Sequence, residues 1–134
     1  MIGVLLISHG AIGETLLASA EQIIGARQAQ VATLGVSRSD DPDKLLARAR
    51  SLAAQLDSGA GVLVLTDMFG ATPCNVASRL LADGRVEGVS GMSLPMLVRV
   101  LSGRNGSLPA AVQRALSGGA EGVVHMNKDS CGGC

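Results

Sequence analysis

The sequence predicts an α/β fold: a doubly wound, mainly parallel β-sheet with helices on both faces. Three observations carry this reading. Short, near-continuous apolar runs, residues 2–7 and 61–66 above all, read as strands buried on both faces. Longer stretches with apolar residues three and four apart separate them and read as amphipathic helices. The two patterns alternate, and strand–helix–strand units build a parallel sheet.

The elements follow in order. Residues 2–7 are the first strand. Residues 12–25 are a helix with Leu16, Leu17, Ala20, Ile23 and Ile24 on one stripe and Gly25 as its C-cap. Residues 30–36 are a second, weaker strand. Asp41-Pro42 opens a helix to about Leu56, Asp as N-cap and Pro at the first helical position. Its charged residues read as a solvated face on which Asp40 and Lys44 pair. Residues 61–66 are the third strand, and Asp67 to Ala71 a loop. Thr72-Pro73 starts a helix through Leu80 and Leu81 to Gly84. Residues 86–91 are a short strand. Ser93-Leu94-Pro95 and Ser107-Leu108-Pro109 each open a helix, with the turn Gly103-Arg104-Asn105-Gly106 between them. Glu121 to Met126 is a last short strand, and residues 127–134 read as a loose tail. Residues 1–134 are expected to form one domain, without repeat or linker.

Composition narrows the function. Hydrophobic residues make up 47% of the chain but aromatic ones only 1%, so Leu, Val, Ile, Ala and Met must build the core. Lys+Arg and Asp+Glu are 11 each, which argues against nucleic acid as the main partner, because neutralising phosphates needs a basic excess. No run of about 18 apolar residues suggests a membrane span. The start lacks a basic region and runs straight into Ser8-His9-Gly10, so it reads as a strand rather than a signal peptide, and a cytoplasmic location is expected. Three cysteines without a secretion signal do not suggest a disulfide framework. Cys131-Gly132-Gly133-Cys134 is a C-x-x-C, read as tail without a defined role rather than as a redox or metal pair.

In such sheets ligand chemistry gathers at the carboxyl ends of the strands. Two segments leave strands there with polar residues, Ser8-His9-Gly10 and Thr66 to Thr72. His9 alone is more often an ordinary loop histidine. Asp67, alone, is as often a simple cap of the next turn. If the first and third strands are neighbours, however, the two face each other. One ring nitrogen then donates to Asp67, which fixes the tautomer and leaves the other as a nucleophile. Thr72 at a helix start, with Gly70 and Ala71 keeping the loop small, suits an anion such as a phosphoryl group. Met68, Phe69 and Ile12 flank the site as a candidate docking patch, against simple local packing. A metal site is disfavoured, since His125, the only other histidine, lies far off in sequence and reads as a strand-surface residue. A Ser-His-Asp hydrolase is disfavoured because Ser8, adjacent to His9, should point to the other face of the strand. No phosphate-binding glycine motif follows a strand, so nucleotide binding is not supported.

These residues carry a family resemblance. Val4-Leu5-Leu6-Ile7-Ser8-His9-Gly10, Thr66-Asp67-Met68-Phe69-Gly70-Ala71-Thr72-Pro73-Cys74-Asn75 and Gly88-Val89-Ser90-Gly91-Met92-Ser93-Leu94-Pro95-Met96-Leu97 resemble, in order and spacing, the signature segments of the mannose-family EIIA domain of the bacterial phosphotransferase system. The family pattern usually has a second glycine where this chain has Ala71, and often an aromatic where it has Cys74. These departures bear on docking rather than on chemistry. The resemblance implies that His9 accepts a phosphoryl group from the small phosphocarrier HPr and passes it to a histidine on an EIIB domain, with Asp67 holding the opposite ring nitrogen and Thr72 touching the phosphoryl oxygens. No cofactor and no metal is implied, and a membrane enters only indirectly, through the EIIC and EIID subunits. The resemblance also implies a homodimer in which a C-terminal strand, here residues 121–126, crosses to the partner's sheet. Because no EIIB, EIIC or linker sequence accompanies it, a free-standing EIIA is expected, and a regulatory phosphoprotein that signals without transporting sugar is the alternative. The related phosphocarrier of dihydroxyacetone kinases is a third reading, and the Phe69-Gly70-Ala71-Thr72-Pro73 loop favours the mannose type over it.

Overall fold

The run Gly3–His9 forms the first strand, β1, and its two sides divide the core. A computed structural model describes residues 1–128, and Cys131 and Cys134 lie outside them. The elements that follow are α1 (Ile12–Ile24), β2 (Val31–Val36), α2 (Pro42–Leu56), β3 (Val62–Thr66), α3 (Thr72–Ser78), β4 (Val86–Ser90), α4 (Leu94–Leu101) and α5 (Leu108–Glu121). The strands lie in the order β2-β1-β3-β4, all parallel. The α/β fold with helices on both faces is therefore present as expected.

Side chains alternate across a strand. From β1, Val4 and Leu6 join Leu63 and Leu65 of β3 beneath α1, α4 and α5. Leu5 and Ile7 join Val62 and Val64 beneath α2 and α3. These eight side chains are 0% exposed, and burying each contributes about 2 kcal/mol relative to leaving it in water. That is why the two apolar runs are central strands: only positions covered on both faces use apolar residues at every step.

The helices begin where the sequence marks them. Asp41 Oδ1 accepts from Asp43 N–H at 3.1 Å, Ser93 Oγ from Met96 N–H at 3.3 Å and Ser107 Oγ from Ala110 N–H at 3.2 Å. Gly25 ends α1 in the left-handed conformation, φ 83°, with its N–H on Glu21 O.

Three expectations need correction. The helix opened by Thr72 ends at Ser78, not near Gly84. Ser78 Oγ donates to Asn75 O at 2.8 Å, and Arg79 and Leu80 N–H turn back on carbonyls three residues earlier, so the ladder tightens and stops. Thr72 begins that helix, as expected, with Ala71 in the cap position. Asp40 lies outside α2 and accepts from Ser37 N–H at 2.8 Å, with no ion pair to Lys44 among the described residues. Finally, residues 121–126 form no strand in the single chain. Glu121 belongs to α5, and the residues that follow have no neighbouring strand to take their N–H and C=O groups.

Candidate functional site

The topology puts one crevice in a special place. From β1 the chain moves outward to β2 on one side; from β3 it moves outward to β4 on the other. The strand order therefore reverses between β1 and β3, and loops diverge there at the carboxyl ends, which opens a crevice. His9 is the last residue of β1, and Asp67 directly follows the last residue of β3. The condition that the sequence left open, adjacency of the two strands, is met, with Ile7 beside Thr66 in the register.

Asp67 grips His9 twice with one oxygen. Oδ2 accepts the main-chain N–H of His9 at 3.0 Å and lies 2.8 Å from its Nδ1. The Asp67 side chain is 11% exposed, whereas that of His9 is 48% exposed. Burial pushes the Asp67 carboxyl up, but the hydrogen bonds from the His9 main chain and ring outweigh it, and the group sits below its usual 3.8. It is thus an ionised acceptor at neutral pH. An ionised carboxylate has no proton to give, so the contact requires a proton on His9 Nδ1. In the neutral imidazole, Nε2 then carries the free lone pair.

The backbone around this pair is unusual in ways that only glycine tolerates easily. Gly10 has φ 48° and Gly70 has φ 83°. Gly10 turns the chain off β1 while its N–H still bonds Val36 O of β2 at 3.0 Å, which leaves the His9 ring at the rim of the sheet. Ser8 points to the opposite face, as its neighbour position requires. It is 1% exposed and its Oγ accepts from Gly13 N–H at 2.8 Å, so it has no access to a substrate at the His9 rim.

The β3–α3 loop carries the remaining expected residues. Met68, Phe69, Gly70 and Thr72 are exposed and Ala71 is half-buried. The Thr72 hydroxyl makes no hydrogen bond among the described residues, since Ala71 has taken the cap position. With only seven residues in α3, an anion at this end would rely on the Thr72 hydroxyl and the loop N–H groups more than on a helix dipole. The apolar residues do not converge on one hollow. Phe69, 84% exposed, borders a groove of about 160 Å³ with Cys74, Ala77, Leu81, Val89 and Ser90, beside β4. Ile12 borders a separate hollow on α1 with Ala11, Thr15 and Leu16.

Sequence reasoning missed two groups. Thr66 Oγ1 donates to Ser90 Oγ at 2.8 Å, tying β3 to β4 just below Asp67. The Ser8 contact had a readable signal: no Ser, Thr, Asp or Asn precedes Ile12 at the start of α1, so another group had to cap it.

The family model described as "PTS system fructose IIA component" matches residues 3–116. The PTS system mannose-specific EIIAB component of Escherichia coli is 34% identical over 125 residues, 91% of this chain, and the match spans only 38% of that protein's length. The PTS system fructose-specific EIIA component of Bacillus subtilis is 30% identical over 103 residues, 76% of this chain and 70% of that protein. The crystal structure of phosphotransferase system component EIIA from Streptococcus agalactiae superposes with a TM-score of 0.84 at 25% identity, covering 96% of this chain and 100% of that one. No helix among the described residues is long and apolar enough to cross a membrane. The chain belongs to the mannose/fructose EIIA family of the bacterial phosphotransferase system.

Proposed function

We propose that this protein carries a phosphoryl group on His9 Nε2, taking it from HPr and passing it to a histidine of an EIIB domain. One observation carries the reading: a single Asp67 oxygen holds both the main chain and Nδ1 of a half-exposed histidine at the sheet's switch point. The Nε2 lone pair attacks phosphorus in line with the donor nitrogen. A bond from phosphorus to Nε2 forms as the bond to the donor breaks, and the donor ring keeps the released electron pair. The His9 ring gains positive charge in this step, and the Asp67 carboxylate opposite stabilises it. Phosphorus supplies the electrophile and protein docking supplies the alignment, so side chains alone suffice. Thr72, with the main chain of Gly70 and Ala71, receives the phosphoryl oxygens. Phe69, Met68 and Ile12 meet the partner proteins.

The reading includes a homodimer in which residues 121–126 of one copy pair with the β4 edge of the other. β4 is an edge strand, and Val123 and Met126 are 85% and 80% exposed in the single chain. Unpaired apolar segments and open edges invite such pairing.

Phosphotransfer from phosphoenolpyruvate through the general carriers tests the reading. Wild type takes up label and His9→Ala does not; a labelled His9→Ala would overturn the assignment. Light scattering tests the dimer: wild type is expected at twice the chain mass and Val123→Asp at one chain mass, and equal masses would remove the exchanged segment.

A further inference from the structure

We propose that Ser8 is a positioning residue for His9, holding the histidine's peptide unit from the side opposite Asp67. This rests on the assignment of phosphotransfer to His9. Its basis is the way α1 starts. The cap position is held by Ala11, which offers no side-chain acceptor, and the N–H of Gly13 in the first turn is buried. A buried N–H left without a partner loses its hydration and gains nothing in return, so it needs an acceptor. Ser8 Oγ takes that N–H at 2.8 Å from five residues back in sequence. The bond therefore closes a ring over His9, Gly10, Ala11 and Ile12, the turn that presents the imidazole.

The same hydroxyl directs its proton to the carbonyl of His9, at the longer distance of 3.4 Å. His9 is thus bracketed: Asp67 accepts its N–H, and Ser8 faces its C=O. The surroundings leave the hydroxyl little freedom. A methyl placed on Gly13 would stand 3.2 Å from both Ser8 Oγ and Leu6 Cβ. Ser8 itself is 1% exposed, so solvent has no open path to replace it. Removal of the hydroxyl forces the start of α1 to shift in search of a partner for Gly13 N–H, and the turn carrying His9 moves with it.

Thr66 supplies the comparison. It is also a buried strand-end hydroxyl, 2% exposed, next to the other member of the pair. Its hydroxyl reaches Ser90 Oγ between strands that the sheet ladder already joins. Its loss orphans no main-chain group, so it serves as a control for loss of a buried hydroxyl as such.

The experiment compares Ser8→Ala, Ser8→Thr and Thr66→Val with wild type. The readouts are the phosphotransfer rate against donor concentration, the His9 Nδ1–H resonance by NMR, and folding by circular dichroism. Ser8→Ala is expected to stay folded at room temperature, with its maximal transfer rate down about tenfold, the effect of sub-ångström misplacement of a reacting group. Its Nδ1–H resonance broadens by exchange, while the half-saturating donor concentration changes by less than about twofold, as for a residue that touches no partner. Ser8→Thr restores rate and resonance, and Thr66→Val leaves both at the wild-type level. Wild-type rate and resonance in Ser8→Ala would overturn the inference, as would an equal loss in Thr66→Val. Should Ser8→Ala not fold, Ser8→Cys, with a weaker acceptor of similar size, takes its place under the same expectations. If wild type itself took no label, the phosphotransfer assignment would fail, while the resonance would still decide whether Ser8 holds His9.

Discussion

The two ends of the sheet use the same device for opposite purposes. At the carboxyl end, one charged group, Asp67, binds main-chain and ring N–H groups and leaves its partner half exposed. At the amino end, one charged group, Arg104, binds main-chain carbonyls and is itself sealed, at 5% exposure. Its guanidinium donates to Ile2 O at 3.1 Å, to Gln30 O at 3.3 Å, to Ala29 O and to Gln28 Oε1, and no carboxylate faces it among the described residues. Burial pushes the guanidinium below its usual pKa, yet arginine stays charged. Its main-chain carbonyl also accepts Ile2 N–H at 3.1 Å. Arg104 thereby stitches the α4–α5 turn to the entries of β1 and β2. The comparison teaches a division: the amino end is closed around its charge, and the carboxyl end leaves its histidine open, where the proposed exchange takes place.

Breaking the closed end should give the largest effect. Arg104→Met orphans several carbonyls and is expected to lower stability by about 3 kcal/mol, with Arg104→Lys losing less because an ammonium reaches fewer of them. Urea unfolding measures this. The transfer rate per folded molecule should stay unchanged in Arg104→Met; a fall in that rate would show that the two ends are coupled rather than independent.

At the open end the order of effects reverses, with rate moving more than stability. Asp67→Asn keeps the shape but removes the ionised acceptor and permits the wrong tautomer. It is expected to slow labelling by about a hundredfold, comparable to loss of a group that stabilises charge in the transition state. An unchanged rate would remove Asp67 from the mechanism. The pH dependence of stability follows from the same group. Its folded pKa is lowered, so its contribution is fully present above the ordinary value of 3.8 and is lost as pH falls through the folded value. Thermal unfolding followed downward from neutral pH should therefore show a steeper acid limb in wild type than in Asp67→Asn, and equal limbs would contradict the lowered pKa.

The smallest effect is expected at the loop. Phe69→Ala removes an 84% exposed ring, so the melting temperature should hold. The donor concentration for half-maximal labelling should rise about fivefold, as for one truncated contact of moderate weight at an interface. An unchanged concentration would place docking elsewhere.

How much of this was legible depended on how far each feature reaches along the chain. The strands 2–7 and 61–66 were legible because burial on both faces writes itself into consecutive residues. The starts of α2, α4 and α5 were legible because capping residues and prolines act within one turn. His9 and Asp67 were legible as strand-end polar residues, and their meeting required only that β1 and β3 be neighbours. What failed depended on competition or on distance. The early end of α3 came from the Ser78 hydroxyl competing for a helix carbonyl. The strand expected at residues 121–126 needs a neighbour that the single chain does not supply. Arg104 was hidden most completely: it sits in a turn of glycines, and only the topology brings residues 2, 29, 30 and 104 together.

The central claim, that Asp67 holds Nδ1 so that Nε2 receives the phosphoryl group, has one direct test. The protein is labelled with nitrogen-15 in its histidines, phosphorylated through the general carriers, and its ring nitrogens are read by their coupling to phosphorus. Phosphorus on His9 Nε2, with a slowly exchanging proton on Nδ1, is the expected result. Phosphorus on Nδ1, or on any residue other than His9, would contradict it.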